Sequence, residues 1–152
     1  MAVSGTEAQI YEALAWFIGQ QALELTPPFD PALGKDVSFP GVAFSPKLRK
    51  PYLDVAVIPN GAELIGHAFD SAVEAVGLLQ IAVMWPAGEG NVKPMQVAGQ
   101  VVLRFKPGTV IARNDVEIRF EEQPQVAAPL QESDWTRVPV TIRWRASAPP
   151  NA

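Results

Sequence analysis

The sequence predicts an α+β fold: a single domain with a mostly antiparallel or mixed β-sheet and two main helices packed on one face. Three observations predict it. Apolar residues recur at helical spacing around Ile10–Ile18 and Pro94–Phe105. They alternate with polar residues in Tyr52–Ile58, Val116–Phe120 and Val138–Trp144, the pattern of half-buried strands. The order is helix, long irregular arm, two strands, helix, then two or three strands. That order lacks the regular strand–helix alternation of a parallel sheet. The 152 residues suit one domain. We place it at residues 1–146, with an extended arm at 26–51 and a flexible tail at 147–152.

Each element has its local reason. Ser4-x-x-Glu7 reads as a capping box opening a helix from about Gly5 to Leu23. Ile10, Ala13, Leu14, Phe17 and Ile18 form its apolar stripe, and Glu7, Gln9, Glu12 and Gln20 its outer face. Thr26–Pro51 loses the pattern and holds six prolines, which remove backbone donors and prevent regular pairing. The same arm carries Phe29, Phe39 and Phe44, which a polar tether would not need. It is expected to dock, on its own core or on a neighbouring chain. After the strand at Tyr52–Ile58, Pro59-Asn60-Gly61 reads as a turn, and Ala62–Val76 as a short helix or a wide hairpin loop.

Gly77–Trp85 is apolar enough for a central strand. Asn91 is the expected N-cap of the second helix, whose face is Pro94, Val97, Ala98, Val101, Val102 and Phe105. Lys106-Pro107-Gly108 ends it. The loop after Phe120 is given a short strand near Val126, and the tail from Ala146 is expected to be loose.

Composition narrows the functions. Hydrophobic residues are 48% and charged ones 18%, a globular balance. A net charge of −4 and a pI of about 5.0 exclude a broadly basic nucleic-acid binder, so no specific nucleic-acid partner is expected. With no cysteine there is no disulfide, thiolate nucleophile or Cys-based metal site. The N-terminus lacks a signal-peptide pattern, and AVGLLQIAVMWPAG is too short to span a bilayer; a soluble chain with no membrane partner is expected.

Motifs for chemistry are weak. Gly88-x-Gly90-x-x-Lys93 follows a strand and opens a helix, as phosphate-binding loops do. It lacks the third glycine of a dinucleotide fingerprint and the Gly-Lys-Ser/Thr of a P-loop, and Glu89 would repel a phosphate. It reads as a strand-to-helix turn, with a small ligand- or nucleotide-binding domain as the alternative from another class. The single histidine, His67, lies too near Asp70 and Ser71 in sequence for a triad. No calcium-loop spacing occurs. No catalytic, cofactor-binding or metal-ligating residues are assigned, and no cofactor is expected.

Two basic clusters remain: Lys47-Leu48-Arg49-Lys50, and Arg137, Arg143 and Arg145 along the last strand. Both read first as solvated faces that protect a sheet edge, and second as contacts for phosphates or an acidic partner. The tryptophans Trp16, Trp85 and Trp144 are assigned to the core, and Trp135, beside Asp134 in a loop, to an interface. Should the arm dock on a neighbouring chain, the candidate subunit or partner interface comprises Phe29, Phe39, Phe44, Lys47, Arg49, Lys50 and Trp135.

The ordered set of motifs carries a resemblance. It comprises the first helix with Ala13-Leu14, FPGVAFSP (Phe39–Pro46), PYLDV (Pro51–Val55) and GLLQIAVMWPAGEG (Gly77–Gly90). FKPGT (Phe105–Thr109) and VPVTIRWR (Val138–Arg145) complete it. Together these resemble the tail-terminator-like proteins of long-tailed phages and prophages, including a small bacteriophage-related family of unknown function. The resemblance implies a virion protein made in the bacterial cytoplasm. It implies a ring, generally a hexamer, that caps the tail tube, stops its polymerisation and offers the surface for head joining. Its implied partners are itself, the tail tube protein and a head-connector protein. Another neck or tail-completion protein of the same particle is the alternative.

Overall fold

The computed structural model describes residues 5–22, 29, 35–64 and 73–148. The elements are α1 (Thr6–Ala22), β1 (Val37–Ser38), β2 (Tyr52–Leu64), β3 (Val73–Pro86) and α2 (Val92–Arg104), then β4 (Thr109–Arg113), β5 (Val116–Phe120), β6 (Gln125–Val126), β7 (Leu130–Gln131) and β8 (Trp135–Ala148). The strands form one eight-stranded sheet in the order β1-β2-β3-β8-β5-β4, with β6 and β7 also pairing β8. Only β1 with β2 is parallel. The expected mixed, mostly antiparallel sheet with two helices is what the chain forms.

Three long strands make the frame. β3 pairs β8 without a register shift from Val73↔Ala148 to Pro86↔Trp135. Leu79, Ile81, Val83 and Trp85 of β3 point to the core beside Val138, Val140, Ile142 and Trp144 of β8. The far edge of β8 is covered in turn by β7 at Thr136–Arg137, β6 at Val140–Thr141 and β5 at Arg145–Ser147. Short strands thus satisfy backbone groups that burial would otherwise leave unpaired.

Several expectations are corrected. Pro59-Asn60-Gly61 does not end β2. Pro59 faces Gly77 and Ala62 faces Ala75, so two residues oppose one, with Gly61 at φ 105°. This is a β-bulge, and the chain continues as strand to Leu64. The described parts of Ala62–Val76 are therefore hairpin strands; the rest of that segment, with His67, Asp70 and Ser71, lies outside the described residues. Ser4 of the expected capping box does too. β4 was not anticipated: Val110 is exposed and only Ile111 is buried, so no alternation marks it. β8 runs on to Ala148, with Ala146 and Ala148 buried, where a loose tail was expected. Asn91 makes no side-chain cap; its Oδ1 accepts instead from Gln131 Nε2 at 3.3 Å.

Both helices feed the same core. α2 buries the predicted Pro94, Val97, Ala98 and Val101, and Phe105 follows them inward. Phe17 of α1, Phe105 and Phe120 of β5 meet with ring centroids 5.2 to 6.3 Å apart. Gln9, expected on the outer face of α1, is buried. α1 also touches both margins of the sheet. Tyr11 Oη donates to the Val57 carbonyl of β2 at 3.1 Å, while Glu12 takes Arg113 of β4 in bonds of 2.9–3.0 Å. In a flat sheet β2 and β4 would stand about 19 Å apart, wider than a helix of about 10–12 Å. The sheet curls, and α1 closes the gap.

Two predictions follow from this packing. A Cβ on Gly77 would lie 2.3 Å from the Trp144 ring and 2.7 Å from the Ile58 carbonyl, whereas one on Gly99 of α2 would meet nothing. Gly77→Ala should therefore destabilise by about 2–3 kcal/mol in urea unfolding, while Gly99→Ala stabilises by about 0.5–1 kcal/mol. The Arg113 hydrogen bonds, opposed by desolvation, hold the Glu12 carboxyl below its ordinary range. Its contribution is present above the ordinary carboxylate pKa and lost as pH falls through the lower folded value. Glu12→Gln should flatten that acid limb of the stability curve.

Candidate functional site

The arm does not lie loose, and its halves differ. Phe29 is 1% exposed and Phe39 9%, both in the protein's own core. β1 pairs with Leu53 and Asp54 of β2, and Leu53 N–H donates to the Asp36 carbonyl at 2.9 Å. Of the two docking places expected for the arm, its own core takes both phenylalanines, and their assignment to an interface is corrected. Regular pairing also occurs where the prolines were expected to prevent it.

The other predicted residues come together at one end of the sheet. Phe44 lies against Tyr52 with centroids 4.7 Å apart, and Tyr52 meets Trp135 edge-on at 5.1 Å and 85°. Trp135 is half-buried and opens β8 rather than sitting in a loop. Burial, then the nearby Asp54, pushes the Tyr52 phenol above its ordinary pKa. Lys50 pairs with Asp36 at 2.8 Å and Arg49 with Glu89 at 3.0 Å. Lys47 is exposed.

Lys47–Lys50 form a tight turn in which Lys50 N–H donates to the Lys47 carbonyl at 3.2 Å. Arg49 adopts φ 57°, a left-handed conformation unusual for a side-chain-bearing residue. Its guanidinium reaches the Gly88-Glu89-Gly90 turn, whose glycines stand at φ 87° and 82°. Between the basic turn and the Pro86–Ala87 and Ser133–Trp135 segments lies an open cleft of about 460 Å³, bounded by Pro46, Leu48, Pro86, Asp134 and Trp135. Leu48, at the tip, is 91% exposed.

The glycine turn behaves as a turn. Its acidic side chain is engaged by Arg49, and β3, which leads into it, is flanked by antiparallel neighbours on both sides. Among the described residues, no group of three or more His, Asp or Glu is placed to hold a metal ion. No helix among them is long and apolar enough to cross a membrane. The basic face of β8 is ion-paired: Arg137 with Asp54 at 3.1 Å, Arg143 with Glu122 at 3.3 Å, and Arg145 with Glu74 and Glu121.

A second surface was missed. An apolar groove of about 600 Å³ runs between α1 and the margin of β2, lined by Ala8, Tyr11, Ala15, Trp16, Val55 and Val57 among others. Trp16, assigned to the core from sequence, is 40% exposed on its rim, with the Arg113 guanidinium 4.6 Å from its ring. The signal was present: Ala8, Tyr11, Ala15 and Trp16 are a second apolar stripe on the same helix, offset from the buried one.

Removing the Arg49 charge should leave folding intact, because its side chain is 64% exposed; Arg49→Ala should shift stability by under about 0.5 kcal/mol. Trp135→Ala, which strips the aromatic row of its end member, should cost about 2 kcal/mol. Paired denaturation curves check both.

Comparison with known proteins places this architecture. One solved structure is similar with a TM-score of 0.74 at 20% identity, over 93% of this chain and 95% of that one, a likeness of fold. No curated protein matches the sequence. A family model described as phage tail terminator protein matches residues 9–144, from the first helix into the last strand. The chain belongs to the phage tail terminator family.

Proposed function

We propose that copies of this chain close into a ring, a hexamer, on the end of the tail tube. The ring stops polymerisation of the tube and offers the surface to which the filled head joins. The observation that carries the reading is the family match across residues 9–144, which makes the chain a structural protein of phage tail completion. The tail tube protein and a head-connector protein are its proposed partners, one on each face of the ring. The reading assigns no catalytic role and no cofactor.

The surface suits such a role. A closed ring needs a heterologous contact, in which two unlike patches meet head to tail. A stable contact of that kind buries upwards of about 1,000 Å² in total. Among the described residues of the arm, Ser45–Lys50 are exposed and offer a surface for it, while Phe29 and Phe39 are buried.

Electron microscopy of particles lacking this protein tests the proposal. Overlong tails, or tails without heads, are expected. Normal-length tails with attached heads would overturn it, and normal-length tails detached from heads would move the protein to the neck.

A further inference from the structure

Two exposed features have opposite shapes. One is the Lys47–Lys50 turn with Leu48 at its tip, and the other is the groove between α1 and β2. We propose that Leu48 of one copy seats in the α1–β2 groove of a second copy, with Lys47 beside Glu7. This deepens the ring reading above and rests on it, supplying the head-to-tail contact by residue.

The turn is built to present its leucine. The Lys47–Lys50 hydrogen bond, the Arg49–Glu89 pair and the Lys50–Asp36 pair fix it, and Pro46 and Pro51 flank it. An ordered knob loses little freedom on binding. Those same ties hold Leu48 away from its own groove: it is 91% exposed in a fold where the groove is open. The occupant is therefore another copy's leucine.

The groove takes a side chain better than a strand. Leu53 directs its N–H to β1, so Val55, Val57 and Pro59 turn their backbone groups to the same margin of β2. There the Val57 carbonyl already accepts from Tyr11, and Pro59 has no N–H to give. A bulge follows at Asn60–Gly61. An added strand would find few groups to pair with, while an aliphatic knob needs only the apolar walls.

Charge orients the contact. Lys47 makes no ion pair among the described residues, and neither does Glu7, an exposed residue of α1 next to Ala8 and one helical turn before Tyr11, both of which line the groove. Because knob and groove are different patches, each copy offers both, and the contact repeats from copy to copy.

The chain has no cysteine, so two single variants, Leu48→Cys and Ala15→Cys, make a clean test. They are mixed and oxidised, both concentrated in solution and on purified tail tubes. The mixed disulfide is expected to exceed either like-with-like product by about tenfold. Lys47→Glu should lower its yield about tenfold, and Glu7→Lys should restore it. An excess of like-with-like product, or no mixed disulfide in either setting, overturns the contact. A ring seen on tube ends without the mixed disulfide sinks this contact and leaves the terminator reading standing. The mixed disulfide in solution with bare tube ends supports the contact and sinks that reading.

Discussion

A strand buried along both edges must find a partner for every backbone group, and β8 sets the rest of the fold by meeting that demand. β3 serves one edge over the whole length from Val73 to Pro86, while β5, β6 and β7 share the other. Three short partners need not lie flat, so the sheet bends around the core. The bend brings the β2 and β4 margins near each other and leaves a slot the width of one helix. α1 fills it, buried on one stripe and tied to β2 and β4 by Tyr11 and Glu12. The groove is a by-product of that arrangement: a helix wedged between two sheet margins keeps a second stripe facing out.

The arm divides its work along its length. Its first half spends Phe29, Val37 and Phe39 on the core. Its second half crosses to the aromatic row of Phe44, Tyr52 and Trp135 and ends in the basic turn. Anchoring and presentation are thereby separated within one proline-rich segment. Arg49 stands at φ 57° and its exposed guanidinium reaches Glu89. Glu89 in turn sits between two glycines that let the strand-to-helix turn reach toward the arm. A loop that looked like a phosphate cradle acts as a latch.

Much of this was legible in the residues. α2 and its buried face, the span of β5 and the core side of β8 all follow from period alone, because each buries a single regular stripe. α1 was placed to within a residue at each end of Thr6–Ala22. Elements that break the period were not legible. β4 pairs on one edge only and buries little beyond Ile111, so nothing alternates. Asn60-Gly61 supplies the same positive φ to a turn and to a bulge, and only the facing Gly77 under the Trp144 ring decides between them. The candidate interface residues divided: Phe44 and Trp135 meet on either side of Tyr52, a proximity that their sequence positions did not foretell, while Phe29 and Phe39 went inside, near a β1 that found a parallel partner despite the prolines. Leu48 escaped notice because a lone exposed leucine is ordinary until its turn is seen to be rigid.

The hydroxyl of Tyr11 on the Val57 carbonyl has a consequence for how the chain reaches this state. Until α1 docks, the Val57 carbonyl on the outer margin of β2 lacks this donor. α1 precedes β2 in the chain, so during synthesis the guard exists before the edge that it covers.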